Sequence, residues 1–167
     1  YNNDTGLKIL SGKELSYNNY NDLFAGLNLL FSEARLSTTV IIKHANPCGV
    51  ASDNSPLQSF LNAQASDPIS AFGGIVACNF KINKRIATEI NKTFFEVILA
   101  KGFEKKALNM LKKKKNMRII DISNLKNKLK TTVKIFDNSF LLQEKDIKVL
   151  DKKKLKIVTK IKPSKKE

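Results

Sequence analysis

The sequence predicts an α/β fold with helices packed on a largely parallel sheet. Two observations carry that reading: short β-branched runs without polar alternation, and amphipathic segments of about ten residues between them. A run without alternation has both faces buried, and a parallel sheet is covered on both faces by its crossover helices. A third observation is that Pro and Gly residues punctuate the chain between these segments.

Leu23, Phe24, Leu27, Leu30 and Phe31 recur at three- and four-residue spacing, which predicts a helix over 21–35 with Asn21 or Asp22 as its cap. The run at 38–42 predicts a strand buried on both faces, stopped by a loop over 43–49 that contains Pro47 and Gly49. Helices are expected over 57–65, 82–91 and 104–114, and buried strands over 73–78, 95–100 and 117–120. After Asp121 the pattern changes to short β-like pieces at 132–136, 140–143 and 155–158 between Lys-rich stretches. The expected organisation is an α/β domain over 1–121 and a Lys-rich linking region over 122–167.

Composition excludes several classes. The 167 residues hold 42% hydrophobic side chains, above the disordered range, and no apolar run long enough for a membrane span. No secretory signal opens the chain, and Cys48 and Cys78 are too few for a disulfide scaffold, so cytoplasm is the expected compartment. A start without Met suggests a piece of a longer protein. The net charge of +15 invites a nucleic-acid reading, with the Lys-rich part as a binding module. Residues 1–100 balance at 8 Lys+Arg against 8 Asp+Glu, while 101–167 hold 22 against 7. Only Arg35, Arg85 and Arg118 are Arg, the residue preferred for bidentate phosphate and base recognition. The charge therefore reads first as a solvated surface, with no specific nucleic-acid partner and no membrane partner expected.

The densest polar cluster is Lys43-His44-Ala45-Asn46-Pro47-Cys48-Gly49, at the carboxyl end of an expected strand, where open α/β sheets place ligands. His44 is the only imidazole, the side-chain type suited to proton transfer near neutral pH, and Lys43 could stabilise developing negative charge. Consecutive strand residues point to opposite faces, so the two share a site only if the backbone turns at once. The same spacing fits equally well a strand end with a snorkelling Lys and a hydrogen-bonded His. Pro47-Cys48 matches part of the zinc-deaminase signature, but Asn46 stands where the catalytic Glu is required and Ala51 where a second Cys would fall. No metal site is expected, and Cys48 reads as packing rather than nucleophile. In Ser70-Ala71-Phe72-Gly73-Gly74 the paired glycines allow either close ligand approach or tight packing, and Asn18-Asn19 reads alone as a turn and cap.

Three runs taken together are more specific. Gly12-Lys13-Glu14-Leu15-Ser16-Tyr17-Asn18-Asn19, the stretch 40–51 around Lys43-His44, and the stretch 66–77 around Phe72-Gly73 occur in order at fitting distances. They closely resemble the bacterial bifunctional purine-biosynthesis family that joins phosphoribosylaminoimidazolecarboxamide (AICAR) formyltransferase to IMP cyclohydrolase. The stretches 94–100 and 155–160 extend the resemblance over essentially the whole chain.

The resemblance implies transfer of a formyl group from 10-formyltetrahydrofolate to the 5-amino group of AICAR. It implies a cytidine-deaminase-like three-layer sandwich without zinc as the first lobe of the formyltransferase, with 122–167 linking to a second lobe. It casts Lys43 and His44 as the catalytic pair, the His moving the amine's proton and the Lys assisting at the folate leaving nitrogen. Asn19, Asn46, Phe72, Gly73 and Glu96 become substrate-binding residues, with AICAR and folate as partners and a homodimer as the working assembly. A cyclohydrolase domain would precede this segment and the second lobe follow it, so the chain alone is expected to be inactive. Two departures are visible: Lys101-Gly102 where the family usually has Pro, and Asp137-Asn138-Ser139-Phe140 where it carries a Gly-Gly hairpin.

Overall fold

The computed structural model describes residues 6–31, 36–125, 131–146 and 155–164. The chain divides into two units, Tyr1–Asn127 and Lys128–Glu167. In the first, the elements run β1 (Lys8–Ser11), α1 (Tyr17–Leu30), β2 (Ser37–Lys43), β3 (Asn46–Asp53), α2 (Pro56–Ser66), α3 (Pro68–Ala71), β4 (Ile75–Cys78), α4 (Lys84–Ile90), β5 (Val97–Ala100), α5 (Lys105–Leu111) and β6 (Arg118–Asp121). The six strands form one sheet in the order β1-β6-β5-β4-β2-β3.

Strand geometry turns the apolar runs into two cores. Alternate side chains point to opposite faces. Ile41, Val76, Cys78, Ile98 and Ile119 therefore pack on one side with Phe60 of α2, Ile86 and Ile90 of α4, and Leu111 of α5. Val40, Ile42, Ile75, Ala77, Val97, Leu99 and Ile120 pack on the other with Leu23, Leu27 and Leu30 of α1. Phe60 and Phe95 meet edge to face at 6.2 Å in the first core. Each fully buried aliphatic side chain contributes roughly 1.5–3 kcal/mol, so these two layers dominate the stability of the unit.

The expected largely parallel sheet is corrected to a mixed one. Only β4–β5 and β5–β6 are parallel; β1–β6, β2–β3 and β2–β4 are antiparallel. A doubly buried run reports burial but not direction, and β2 is joined to β3 by a hairpin too short for a parallel crossover. The first helix starts at Tyr17, not at 21. Ser16 is its N-cap, and Ser16 and Asn19 form a reciprocal capping box, each side chain accepting the other's backbone N–H at 3.2 Å. The expected end of that helix, 32–35, lies outside the described residues. Three elements escape the periodicity altogether: β1, paired to β6; β3, paired to β2; and the four-residue α3, capped by Asp67.

The second unit contains one antiparallel ribbon, β7 (Thr131–Phe136) and β8 (Ser139–Glu144), paired from Thr131–Glu144 to Phe136–Ser139. Its turn is Asp137-Asn138, with Asp137 at φ 45°. The piece expected at 155–158 forms no strand. Among the described residues no helix is long and apolar enough to cross a membrane.

Candidate active site

The polar residues singled out in the sequence converge where the carboxyl end of β2 meets the amino ends of β4, β5 and β6. The antiparallel β2–β4 pairing, which sets Ile42 opposite Ile75, creates that meeting. Lys43 and His44 thus lie at the carboxyl end of β2, as expected, while Phe72 and Gly73 precede β4 and Glu96 precedes β5.

The connection from β2 to β3 is a two-residue turn rather than the loop expected over 43–49. His44 and Ala45 occupy it at φ 54° and 60°. Two-residue hairpins favour such left-handed backbone because it matches strand twist, but a residue with a Cβ loses roughly 1–2 kcal/mol there. Asp22 of α1 accepts the Ala45 N–H with Oδ1 at 2.6 Å and the His44 N–H with Oδ2 at 3.3 Å. Asn46 Nδ2 donates to the His44 carbonyl at 2.8 Å. Pro47 and Gly49 lie inside β3. Pro47 is tolerated there because β3 is the sheet edge and the register slips between Ile41 and Ile42. The immediate turn that Lys43 and His44 require to share a site is thus present, at 44–45 and ahead of Pro47.

Lys43 Nζ donates to the Phe72 carbonyl at 2.9 Å, tying the end of β2 to the α3–β4 connection. Gly73 has φ 76° and donates its N–H to the Phe94 carbonyl at 2.8 Å. A Cβ at Gly73 would touch nothing, so the need for glycine there is torsional. At Gly74 the need is steric, since a Cβ would stand 2.9 Å from the Ile42 carbonyl oxygen. Beside them the rings of Phe72, 58% exposed, and Phe94, 37% exposed, sit 5.6 Å apart and tilted by 52°.

Glu96 enters through its backbone N–H, which donates to the Gly74 carbonyl at 3.0 Å. Its Oε2 accepts Asn19 Nδ2 at 3.0 Å and stands 4.0 Å from Arg118 Nη1. Arg118 Nε donates to the Glu14 carbonyl at 3.1 Å, so one guanidinium touches both the carboxylate and the segment leading into α1. Lys43, His44, Asn46, Phe72 and Gly73 therefore form one bonded group and Asn19 with Glu96 another, joined through Gly74.

Electrostatics separate the bystanders from the polar core of the site. Hydrogen bonds from Ser70, side chain and backbone, hold the Asp67 carboxyl below the usual carboxylate range, and the Lys43 charge adds to this. Burial pushes the Cys48 thiol up, with a further rise from Asp67, and Cys48 Sγ lies 3.5 Å from the Ile41 carbonyl. Cys48 is a protonated packing residue at neutral pH rather than a thiolate. No group of three or more His, Cys, Asp or Glu side chains able to hold a metal occurs among the described residues.

Comparison with known proteins decides the family. Residues 2–167 match the family described as AICARFT/IMPCHase bienzyme. The chain belongs to the AICARFT/IMPCHase family. A relative from Thermoanaerobacter sp., named bifunctional purine biosynthesis protein PurH, is 44% identical over 95% of this chain and 31% of its own length. Relatives of the same name from Aquifex aeolicus and Bartonella bacilliformis are 39% identical over 98% of this chain and 43% over 96%. The chain spans just under a third of the length of each of these AICARFT/IMPCHase relatives.

Two polar residues of the site escaped the sequence reading. Asp22 is one of the two candidates for the helix cap, with Asn21, and the structure instead sends its carboxylate across to the β2–β3 turn. Arg118 is the single Arg in the Lys-rich part of the chain, and that exception to the bias was the available signal.

Proposed function

We propose that this chain supplies part of the formyltransferase site of its family, acting on AICAR with 10-formyltetrahydrofolate as formyl donor. The observation that carries the reading is the Lys43–His44 turn brought beside the Asn19–Glu96 pair at one end of the sheet. In the reaction the 5-amino nitrogen attacks the formyl carbon, a C–N bond forms, and the bond from that carbon to the folate nitrogen breaks. The amine loses a proton and the departing nitrogen gains one. His44 carries that proton, being the one imidazole in the chain, and the Lys43 ammonium stabilises negative charge as the folate nitrogen leaves. Asn19, Asn46 and Glu96 offer amide and carboxylate partners to AICAR. The exposed Phe72 and Phe94 rings fit a flat heteroaromatic group, which both substrates possess.

The same reading takes 1–121 as a cytidine-deaminase-like lobe, 122–167 as the link to a second lobe, and a homodimer as the working assembly. Helices on both faces of the sheet support the lobe, the chain's share of its relatives' length supports a link to a further lobe, and the homodimer is implied by the family resemblance. The test is turnover of AICAR with 10-formyltetrahydrofolate by this chain alone and by a protein that restores the full length of the relatives. The reading expects none from the first and robust turnover from the second. Inactivity of the restored protein, or robust turnover by the chain alone, would contradict it.

A further inference from the structure

We propose that Asp22 is the positioning residue of the β2–β3 turn, holding His44 and Lys43 on one side of the sheet end by gripping the turn's backbone. The proposal rests on the reading of His44 as proton carrier, but its geometry stands apart from which group is transferred.

Helix α1 does not need Asp22. Its start is capped by Ser16 and Asn19, which take each other's backbone N–H, and Asp22 sits in the second turn of the helix. Both of its carboxylate oxygens instead reach residues 22 and 23 positions further along the chain. The two N–H groups they accept are those of His44 and Ala45, the consecutive left-handed residues. Ala45 does not favour that conformation as Gly, Asn or His does, and Pro47 beyond the turn supplies no N–H to lock it. A charged acceptor shared by the two strained amides supplies the missing constraint.

The same helix face carries Asn19, three residues earlier and so about one turn away. Asn19 grips Glu96 while Asp22 grips the turn. Helix α1 thereby sets the spacing between the two bonded groups of the site. Without Asp22 the hairpin keeps its strands, through β2 pairing on both edges, but loses the constraint that fixes where His44 points.

The experiment uses the whole 167-residue chain and follows its backbone amides and the His44 imidazole by NMR. Asp22→Ala should make the Ala45 amide exchange at least about tenfold faster, the factor that corresponds to losing ~1.4 kcal/mol, and should move the imidazole resonances. Core amides of β4 and β5 should stay in place. Adding Ala45→Gly, which accepts positive φ freely, should return the His44 signals part of the way, a rescue that a merely structural role for Asp22 would not produce. If Asp22→Ala fails to fold, Asp22→Asn decides: with one acceptor oxygen lost, at least one of the two turn amides should lose protection. Unchanged exchange at His44 and Ala45 in a folded variant, or no rescue by Ala45→Gly, would overturn the proposal. Formyl transfer is not read here, so failure of the functional reading would appear in the turnover test and leave this result standing.

Discussion

Among the described residues two hairpins have two-residue turns, and they are built in opposite ways. The β7–β8 ribbon turns on Asp137-Asn138, residues that tolerate left-handed backbone, and every residue of its two strands is exposed. The β2–β3 hairpin turns on His44-Ala45, of which Ala45 has no polar side chain to ease left-handed backbone, yet its β2 strand is buried between β3 and β4. In the first, local chemistry makes the turn. In the second, a helix 22 residues earlier imposes it. Strained backbone persists where surrounding structure over-determines it, and here it includes His44, one of the two residues proposed for chemistry.

That contrast can be broken at several points. Ile42→Ala, at a fully buried position, should lower the unfolding free energy by about 3 kcal/mol, while Ile135→Ala, 78% exposed, should stay within about 0.5 kcal/mol. Urea melts of both variants check the pair. If Ile135→Ala costs as much as Ile42→Ala, the ribbon is buried in solution and the contrast fails. Gly73→Ala should cost about 1–2 kcal/mol through torsion alone, since its Cβ meets no neighbour. Asp137→Gly, at a turn already suited to positive φ, should change stability by no more than a few tenths of a kcal/mol. Equal effects at the two sites would show that local chemistry sets both.

A smaller effect concerns pH. Burial raises the Cys78 thiol to about 12, with Thr39 opposing. A folded-state value above the unfolded one gives stability that is complete below the ordinary thiol range, near 8.5, and is lost as pH climbs from there toward the folded value. Thermal melts of Cys78→Ala should therefore show a shallower alkaline decline than the parent. An identical decline would mean that Cys78 does not titrate on unfolding. The smallest effect belongs to Asp67, whose carboxyl is held low by Ser70. Its stabilisation is present above the unfolded carboxyl range and fades as pH falls through the lower folded value. Asp67→Asn should consequently flatten the acid limb slightly, whereas a steeper acid limb in the variant would reverse the assigned sign.

The strands at 38–42, 75–78 and 97–100 were legible because β-branched residues cluster there with no polar alternation. Their directions were not, because a doubly buried run says nothing about which strand lies beside it. The start of α1 was hidden because Tyr17-Asn18-Asn19-Tyr20 lacks an apolar period and its first turn is set by a capping box. Lys43 and His44 stood out as polar residues closing an apolar strand. Asp22 and Arg118 could not, since their partners lie 22 and 104 residues away and only the fold brings them together.

The central claim is that His44, in the strained turn, carries the proton in the proposed formyl transfer. It is tested most directly by the kcat for formyl transfer in a protein that restores the full length of the relatives and carries His44→Ala, beside the same protein with Asn138→Ala. The account predicts a loss of about 10²–10⁴-fold for His44→Ala with AICAR binding still measurable, and an unchanged rate for Asn138→Ala. A His44→Ala protein that keeps most of its kcat would contradict it.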